Sequence, residues 1–442
     1  MTNVMIFRHA PKERELKVAK IAVIGAGSTY TPELIEGLAE RAEALQIESI
    51  SLMDIDKASL DLVGGLAYRQ LKESGFKGTT ELTDDRHRAL DGASIIFAQV
   101  RPGGMKCRIK DEKIPLKYGL LGQETTGAGG FMQALRTVPV IMDVAADMKR
   151  LCEKDAWLIN FSNPSGIIAE ALLNKTDTNT VGLCNCAINM VKGIAETIGT
   201  YDFDYEYLGL NHLSWITSVI KHGESENIVA TLADKADTSM KNNPAAHIDP
   251  ALFRAVPYVP SSYLNYYYSR SRQVQLCLEA EKTRGEICVE LEAELKKLYS
   301  DPNLKTKPAE LDKRGGALYA TAAVSAAESL VCNKNELHVV AAKNSGAVPF
   351  MDDDDVVEVI SRLSSDGITP LPVKTYNEYV VGLMRSVKAY EKLTVKAAIE
   401  GDRDVALAAL MAHPLVGDIE KALPLLDEML EANREHLPQF FD

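Results

Sequence analysis

Apolar positions fall in two rhythms along the chain, and the change from one to the other marks its organisation. Residues 20–27 form a short apolar run ending in glycines (IAVIGAG). Residues 31–41 follow with apolar side chains at Leu34, Ile35 and Leu38, the spacing of one helix face. Pro32 suits the first turn of that helix, where its missing N–H costs nothing. The alternation continues with a strand over 50–56, a helix to about residue 74 and a buried strand over 94–100. A long helix over 131–153, a strand over 156–161, a helix over 167–173 and a strand over 180–184 complete it. Strands separated by helices imply parallel βαβ units, so this half predicts a Rossmann-like, doubly wound α/β sheet.

Beyond about residue 200 the alternation stops. Residues 207–220 read as a strand, and polar, proline-containing segments lead to 257–269. The remainder reads as mainly helical, with helices predicted over 273–299, 317–330, 377–400 and 418–435. The expected organisation is an N-terminal extension over 1–17, a Rossmann domain over 18–200 and a mixed, mainly helical α+β domain over 201–442. The four acids Asp352 to Asp355 are expected to form a solvated turn or helix start rather than a metal site.

Composition narrows the classes of function. A chain of 442 residues has room for two packed domains, and 46% hydrophobic with 25% charged residues excludes a largely disordered protein. The formal net charge of −13 argues against a nucleic-acid partner, which needs a positive face. No apolar run approaches the roughly 20 residues that cross a bilayer, and the charged start does not read as a secretory signal. A cytoplasmic protein without a membrane partner is therefore expected. Seven scattered cysteines, an odd number, do not suggest a disulfide framework. Cys184 and Cys186 form a C-x-C pair with no second pair, which gives a structural zinc site little support.

Three segments carry candidate chemistry. Gly25-Ala26-Gly27-Ser28 lies directly after the first strand and before the first helix, where glycines permit a tight turn and let a pyrophosphate approach the helix N-terminus. The fingerprint is incomplete, because Tyr30 stands at its third glycine position. Asp54 and Asp56 end the second strand; a carboxylate there bonds ribose hydroxyls and repels a 2′-phosphate, which favours NAD. One of the two aspartates is equally well read as a solvated strand end. Residues 101–130 are rich in glycine, basic and amide side chains, a pattern of a functional loop at the carboxyl end of a strand. Arg101, Lys106, Arg108 and Lys110 make a local cationic patch suited to an anionic group such as phosphate, or else a set of ordinary surface charges. Finally NFSNPSG, LCNC and LNHLSW each place a polar side chain where an apolar stretch ends. Thiolate and imidazole from Cys184 and His212 would suit a divalent transition metal, although a lone buried histidine or cysteine is more often core. The run Tyr263-LNYYY-Tyr268 offers phenols, mostly for packing, of which one beside a cation could act as a base.

Taken in order, these segments resemble family 4 of the glycoside hydrolases, the NAD- and metal-dependent glycosidases, and most closely its 6-phospho-β-glucosidase branch. The resemblance runs from KIAVIGAGSTYTPEL through GQETTGAGG, NFSNPSG, LCNC, GLNHLSW, SSYLNYYY and KRGGALYATAA to the tail HPLVGDIEKALPLLDEMLEANRE. It implies Cys184 and His212 as ligands of a divalent metal, usually manganese, and Tyr263 as the proton-abstracting base. It implies Asn163 and Asn185 at the sugar hydroxyls, Arg314 lining the site and Arg108 on a sugar 6-phosphate. Gln123 and Glu124 are implied beside the nicotinamide and the metal water, with Gly25, Gly27, Ser28 and Asp54 on the NAD. The implied substrate is a phosphorylated disaccharide or β-glucoside 6-phosphate, and the implied assembly a homodimer or homotetramer.

The chemistry implied is hydride transfer from C3 to NAD, loss of the C2 proton, elimination of the aglycone, addition of water and return of the hydride. Such an enzyme needs no pair of catalytic carboxylates. Asn185, directly after Cys184, resembles the β branch, whereas an Asp there marks the α branch. The β branch commonly continues with Val-Pro, and this chain has Cys186-Ala187. An α-glycosidase of the same family, an NAD-dependent hydroxyacid dehydrogenase of the lactate/malate type, and an inactive dinucleotide-binding sensor are the alternatives.

Overall fold

Apolar runs become parallel strands here because helices cover both of their faces. The computed structural model describes residues 18–233, 250–314 and 319–441. The N-terminal extension expected over 1–17 and the first two residues of the helix predicted over 317–330 lie outside these. Six strands, β1 (Ala19–Ile24), β2 (Ile47–Met53), β3 (Thr79–Thr83), β4 (Ile95–Ala98), β5 (Trp157–Asn160) and β6 (Asn179–Gly182), run parallel. Their order, β3-β2-β1-β4-β5-β6, reverses direction between β1 and β4, the switch point where doubly wound sheets open a crevice. Ile21, Val23, Ile95 and Phe97 are completely buried, as strands sandwiched between helices require.

The sheet does not end at β6. Gly182 pairs with Ala341 of β10 (Glu336–Lys343), and the remaining strands are antiparallel. These are β7 (Phe203–Leu210), β8 (Leu213–Lys221), β9 (Val259–Pro260), β11 (Val356–Ser364) and β12 (Gly367–Pro370). The full path runs from β6 through β10, β11, β7 and β8 to β9, with β12 on β11. A second apolar core, holding Trp215, Tyr207, Leu210 and Leu213, packs this half against the helices Gly127–Leu151 and Glu378–Glu400. Among the described residues no helix is long and apolar enough to cross a membrane.

Several expectations change at this level. The stretch over 207–220 is a hairpin, because Leu210 pairs with Leu213 and leaves Asn211 and His212 as a two-residue turn. The helix predicted over 273–299 is two helices, Arg270–Glu279 and Arg284–Tyr299. Thr283 restarts the second: its hydroxyl accepts the Glu286 N–H while the Glu286 carboxylate accepts the Thr283 N–H. The segment 101–130 is not a continuous loop. It contains the helix Gly104–Lys117, entered through Gly103 in a left-handed conformation (φ 79°), and its end, from Gly127, already belongs to the helix Gly127–Leu151. β10, β11 and β12 lie between the helices predicted over 317–330 and 377–400, where no element was assigned; VVEVISRLS is β-branched enough to stay extended once both its edges find partners. The acids before β11 form a turn, with Asp355 accepting the Asp352 N–H.

Candidate active site

The glycine turn is dictated by crowding. Gly25 adopts φ 91°, and a Cβ there would stand 2.7 Å from the Gln99 carbonyl oxygen. Gly27 donates its N–H to Asp54 Oδ2 at 2.8 Å, and a Cβ would meet that same oxygen at 2.8 Å. Asp54 thus closes the turn and also accepts the Asp56 N–H, while both aspartates line the cavity above it. Asp56 is spent on capping the helix Lys57–Glu73, where it accepts from the Ser59 N–H and hydroxyl. The first helix, Thr31–Glu40, presents its N-terminus to the turn with Pro32 in its first turn. A backbone cradle that tolerates no side chain at Gly25 and Gly27 and lies at a helix N-terminus fits the pyrophosphate of a dinucleotide.

That turn opens into a cavity of about 600 Å³ which also receives Cys184, His212, Tyr263, Asn163, Asn185, Glu124 and Arg314. The metal candidates come from separate elements. Cys184 follows the end of β6, and His212 sits at the tip of the β7–β8 hairpin with φ 63°. A left-handed histidine is uncommon and costs of order 1–3 kcal/mol, which the flanking hairpin must sustain. Burial pushes the His212 imidazole down to about 4, against the opposing charge of Glu124 and a hydrogen bond with the Thr125 backbone. The ring is therefore neutral at pH 7, and its buried Nδ1 meets no partner among the described residues. Burial raises the Cys184 thiol well above its ordinary value, so it ionises only where an electrophile stabilises the thiolate. An orphaned neutral nitrogen and a thiol that line one cavity are a donor set that fits a divalent transition metal with positions left open.

Tyr263, in the short helical turn Ser262–Leu264, stacks on His212 with ring centroids 3.8 Å apart. Burial, reinforced by Cys184, Cys186 and Glu124, holds its phenol well above 10. The neighbours are placed elsewhere: Tyr268 accepts the Trp215 indole N–H and Tyr267 lies 3.0 Å from the Thr126 hydroxyl.

The charged lining is arranged differently from expectation. Arg108 does not reach the cavity. It is 2% exposed, with Nε on Glu112 at 2.9 Å and Nη1 on Glu124 at 3.0 Å, because the helix turns it inward towards Glu112 one turn on. Gln123 is also withdrawn: its Oε1 accepts the Thr125 and Thr126 N–H groups and so shapes the loop. Glu124 does line the cavity. Burial opposes its charge, but Arg101, Arg108 and Arg314 outweigh that and bring it to about 2. Arg101 and Arg314 are the guanidinium groups on the cavity wall at this end, Arg101 2.7 Å from Glu124 and Arg314 2.7 Å from Glu292. Glu292, Lys296 and Asn211 were not singled out by pattern. Only a polar residue interrupting an apolar run, as Asn211 does, offered a signal.

Comparison with known proteins identifies the family. Residues 20–200 match the model of the family 4 glycosyl hydrolases, and residues 207–416 match that of the family 4 glycosyl hydrolase C-terminal domain. The chain belongs to this family. It is 40% identical over 438 residues to a probable 6-phospho-β-glucosidase of Bacillus subtilis (strain 168), covering 96% of this chain and 99% of that one. The 6-phospho-β-glucosidase of Thermotoga maritima, solved with NAD and glucose-6-phosphate, superimposes with a TM-score of 0.87 at 34% identity, over 95% of this chain and 99% of that one. A second structure of that enzyme, with manganese, NAD+ and glucose-6-phosphate, gives 0.85 at 33% identity, with the same coverage of 95% and 99%.

Proposed function

We propose that the chain hydrolyses β-glucosides bearing a 6-phosphate, with NAD and a divalent metal, manganese by preference, as cofactors. The observation that carries this reading is the shared cavity: the glycine turn, Cys184, His212 and Tyr263 all open onto it. Gly25, Gly27, Ser28 and Asp54 hold the dinucleotide, and Cys184 Sγ with His212 Nδ1 holds the metal. Bound there, NAD would take up and later return the C3 hydride, and the metal would act as a Lewis acid at the neighbouring sugar oxygens.

The chain's own groups divide the remaining work. Tyr263 Oη receives the C2 proton. Its phenol is neutral in the bare protein, so it becomes a base only where positive charge lies beside it. The His212 ring, stacked against it, fixes the plane of the phenol. Asn163 and Asn185 face the sugar hydroxyls, and Asn185 offers an amide where an acid would be needed to protonate a leaving group. Arg101 and Arg314, on the cavity wall, are the guanidinium groups available to the 6-phosphate, while Arg108 braces Glu124 from behind. A phosphorylated sugar does not cross a membrane unaided, which supports a cytoplasmic reaction.

The test is turnover of a chromogenic β-glucoside 6-phosphate in D₂O with reduced protein, NAD and Mn²⁺. Aglycone release with deuterium at C2 and no net NADH is the expected result. Release without exchange at C2 overturns the elimination route, and net NADH formation from a hydroxyacid would favour the dehydrogenase alternative.

A further inference from the structure

Behind the two metal candidates lies a buried carboxyl that the reaction does not use. Glu358, on β11, is 2% exposed, and its neighbours Val356, Val357 and Val359 are buried hydrophobics. Placing an acid in such a run is costly unless its oxygens are engaged. One oxygen accepts the Tyr207 hydroxyl at 2.8 Å, and the other accepts the Asn211 side-chain amide at 3.2 Å.

Asn211 is the junction. It directly precedes His212 in the hairpin turn. Its carbonyl oxygen accepts the Gly166 N–H at 3.3 Å, at the start of the helix Ser165–Lys175. A single amide therefore ties the hairpin tip that carries the imidazole to the start of that helix and to β11. An amide can rotate about its last bond, and an acceptor on its NH₂ group selects one orientation. Glu358 is that acceptor.

We propose that Glu358 is a positioning residue: by accepting from Asn211 it locks the amide that anchors the hairpin tip bearing His212, and so sets the affinity of Cys184 and His212 for a divalent cation. The inference rests on the reading of Cys184 and His212 as metal ligands. Groups one shell behind a metal commonly govern its affinity by orienting the ligands.

The experiment measures Mn²⁺ binding to the full chain directly, by the EPR signal of free Mn²⁺, with NAD present and no substrate. Glu358→Leu removes the acceptor and is expected to weaken binding about 10- to 100-fold. Glu358→Gln can still accept from Asn211 through Oε1 while its NH₂ donates to the Tyr207 oxygen, and stays within about threefold of the parent. Asn211→Ala is expected to match Glu358→Leu, and the double variant to be no weaker than either single, within about twofold. NADH binding, followed by fluorescence, stays unchanged throughout.

Parent-like Mn²⁺ affinity in Glu358→Leu overturns the proposal, as does a Glu358→Gln as weak as Glu358→Leu, or additive losses in the double variant. If Glu358→Leu does not fold, Glu358→Gln against Asn211→Ala decides in the same way. Cys184→Ser and His212→Ala separate the two levels. If they bind Mn²⁺ like the parent, the metal assignment itself falls; if they lose it and Glu358→Leu does not, only the role of Glu358 falls.

Discussion

The glycine-turn end of the cavity is made of backbone, and the opposite end is made of side chains drawn from three distant segments. At the first, Gly25 to Ser28 and the following helix are contiguous, and the essential requirement is the absence of Cβ atoms. At the second, Cys184, His212 and Tyr263 follow β6, turn a hairpin and sit after β9, and they meet only because β10 and β11 bridge β6 to β7. The difference teaches how each end fails. A backbone cradle fails by crowding, and an assembled donor set fails by loss of one group.

Four perturbations probe this contrast, in decreasing order of expected effect. Cys184→Ser removes a donor without changing shape, and should lower kcat/KM by at least about 10³-fold while NADH fluorescence titration shows dinucleotide affinity unchanged. An equal loss at both ends would break the contrast. Tyr263→Phe keeps the ring on His212 and removes only the hydroxyl, so under the proposed role kcat should fall about 10²- to 10³-fold with Mn²⁺ affinity retained. A larger change in Mn²⁺ binding than in kcat would move Tyr263 from base to structural support.

The third perturbation is acid. His413 is 1% exposed, with its ring nitrogens 3.2 Å from the Gly127 N and 3.0 Å from the Leu415 N, beneath the loop that carries Glu124. Burial pushes it down to about 3. In the unfolded chain it titrates near 6.5, so its contribution is complete above about pH 6.5 and drains away as pH falls towards 3. Between pH 7 and pH 5 this amounts to about 2 kcal/mol. Urea unfolding at the two pH values should show the loss in the parent and a smaller one in His413→Asn; equal losses would assign the acid sensitivity to other groups. Fourth, Gly25→Ala places a methyl 2.7 Å from a carbonyl that cannot retreat, and should weaken NADH binding about tenfold with Mn²⁺ affinity unchanged.

Legibility followed the same division. The turn at Gly25 and Gly27 and the carboxylate at Asp54 were readable because a local chain geometry demands them wherever it occurs. Cys184, His212 and Tyr263 were nameable through family resemblance, and pattern alone left them open against ordinary core residues. Arg108 and Gln123 were read as facing ligands and instead brace the loop from within, since a helix face and a turn decide inward or outward by a rotation that composition does not record. Glu358 left no trace beyond one acid in a valine-rich run.

Sequence by itself determined the alternating parallel half, the glycine turn and the family, because short-range periodicity and steric necessity are written in consecutive residues. Tertiary structure alone decided that β10 and β11 extend the sheet between β6 and β7, that His212 stacks on Tyr263, and that Asn211 spans from Gly166 to Glu358. Those contacts join residues far apart in the chain. They depend on which strand edges find each other, and no local pattern specifies a partner at that distance.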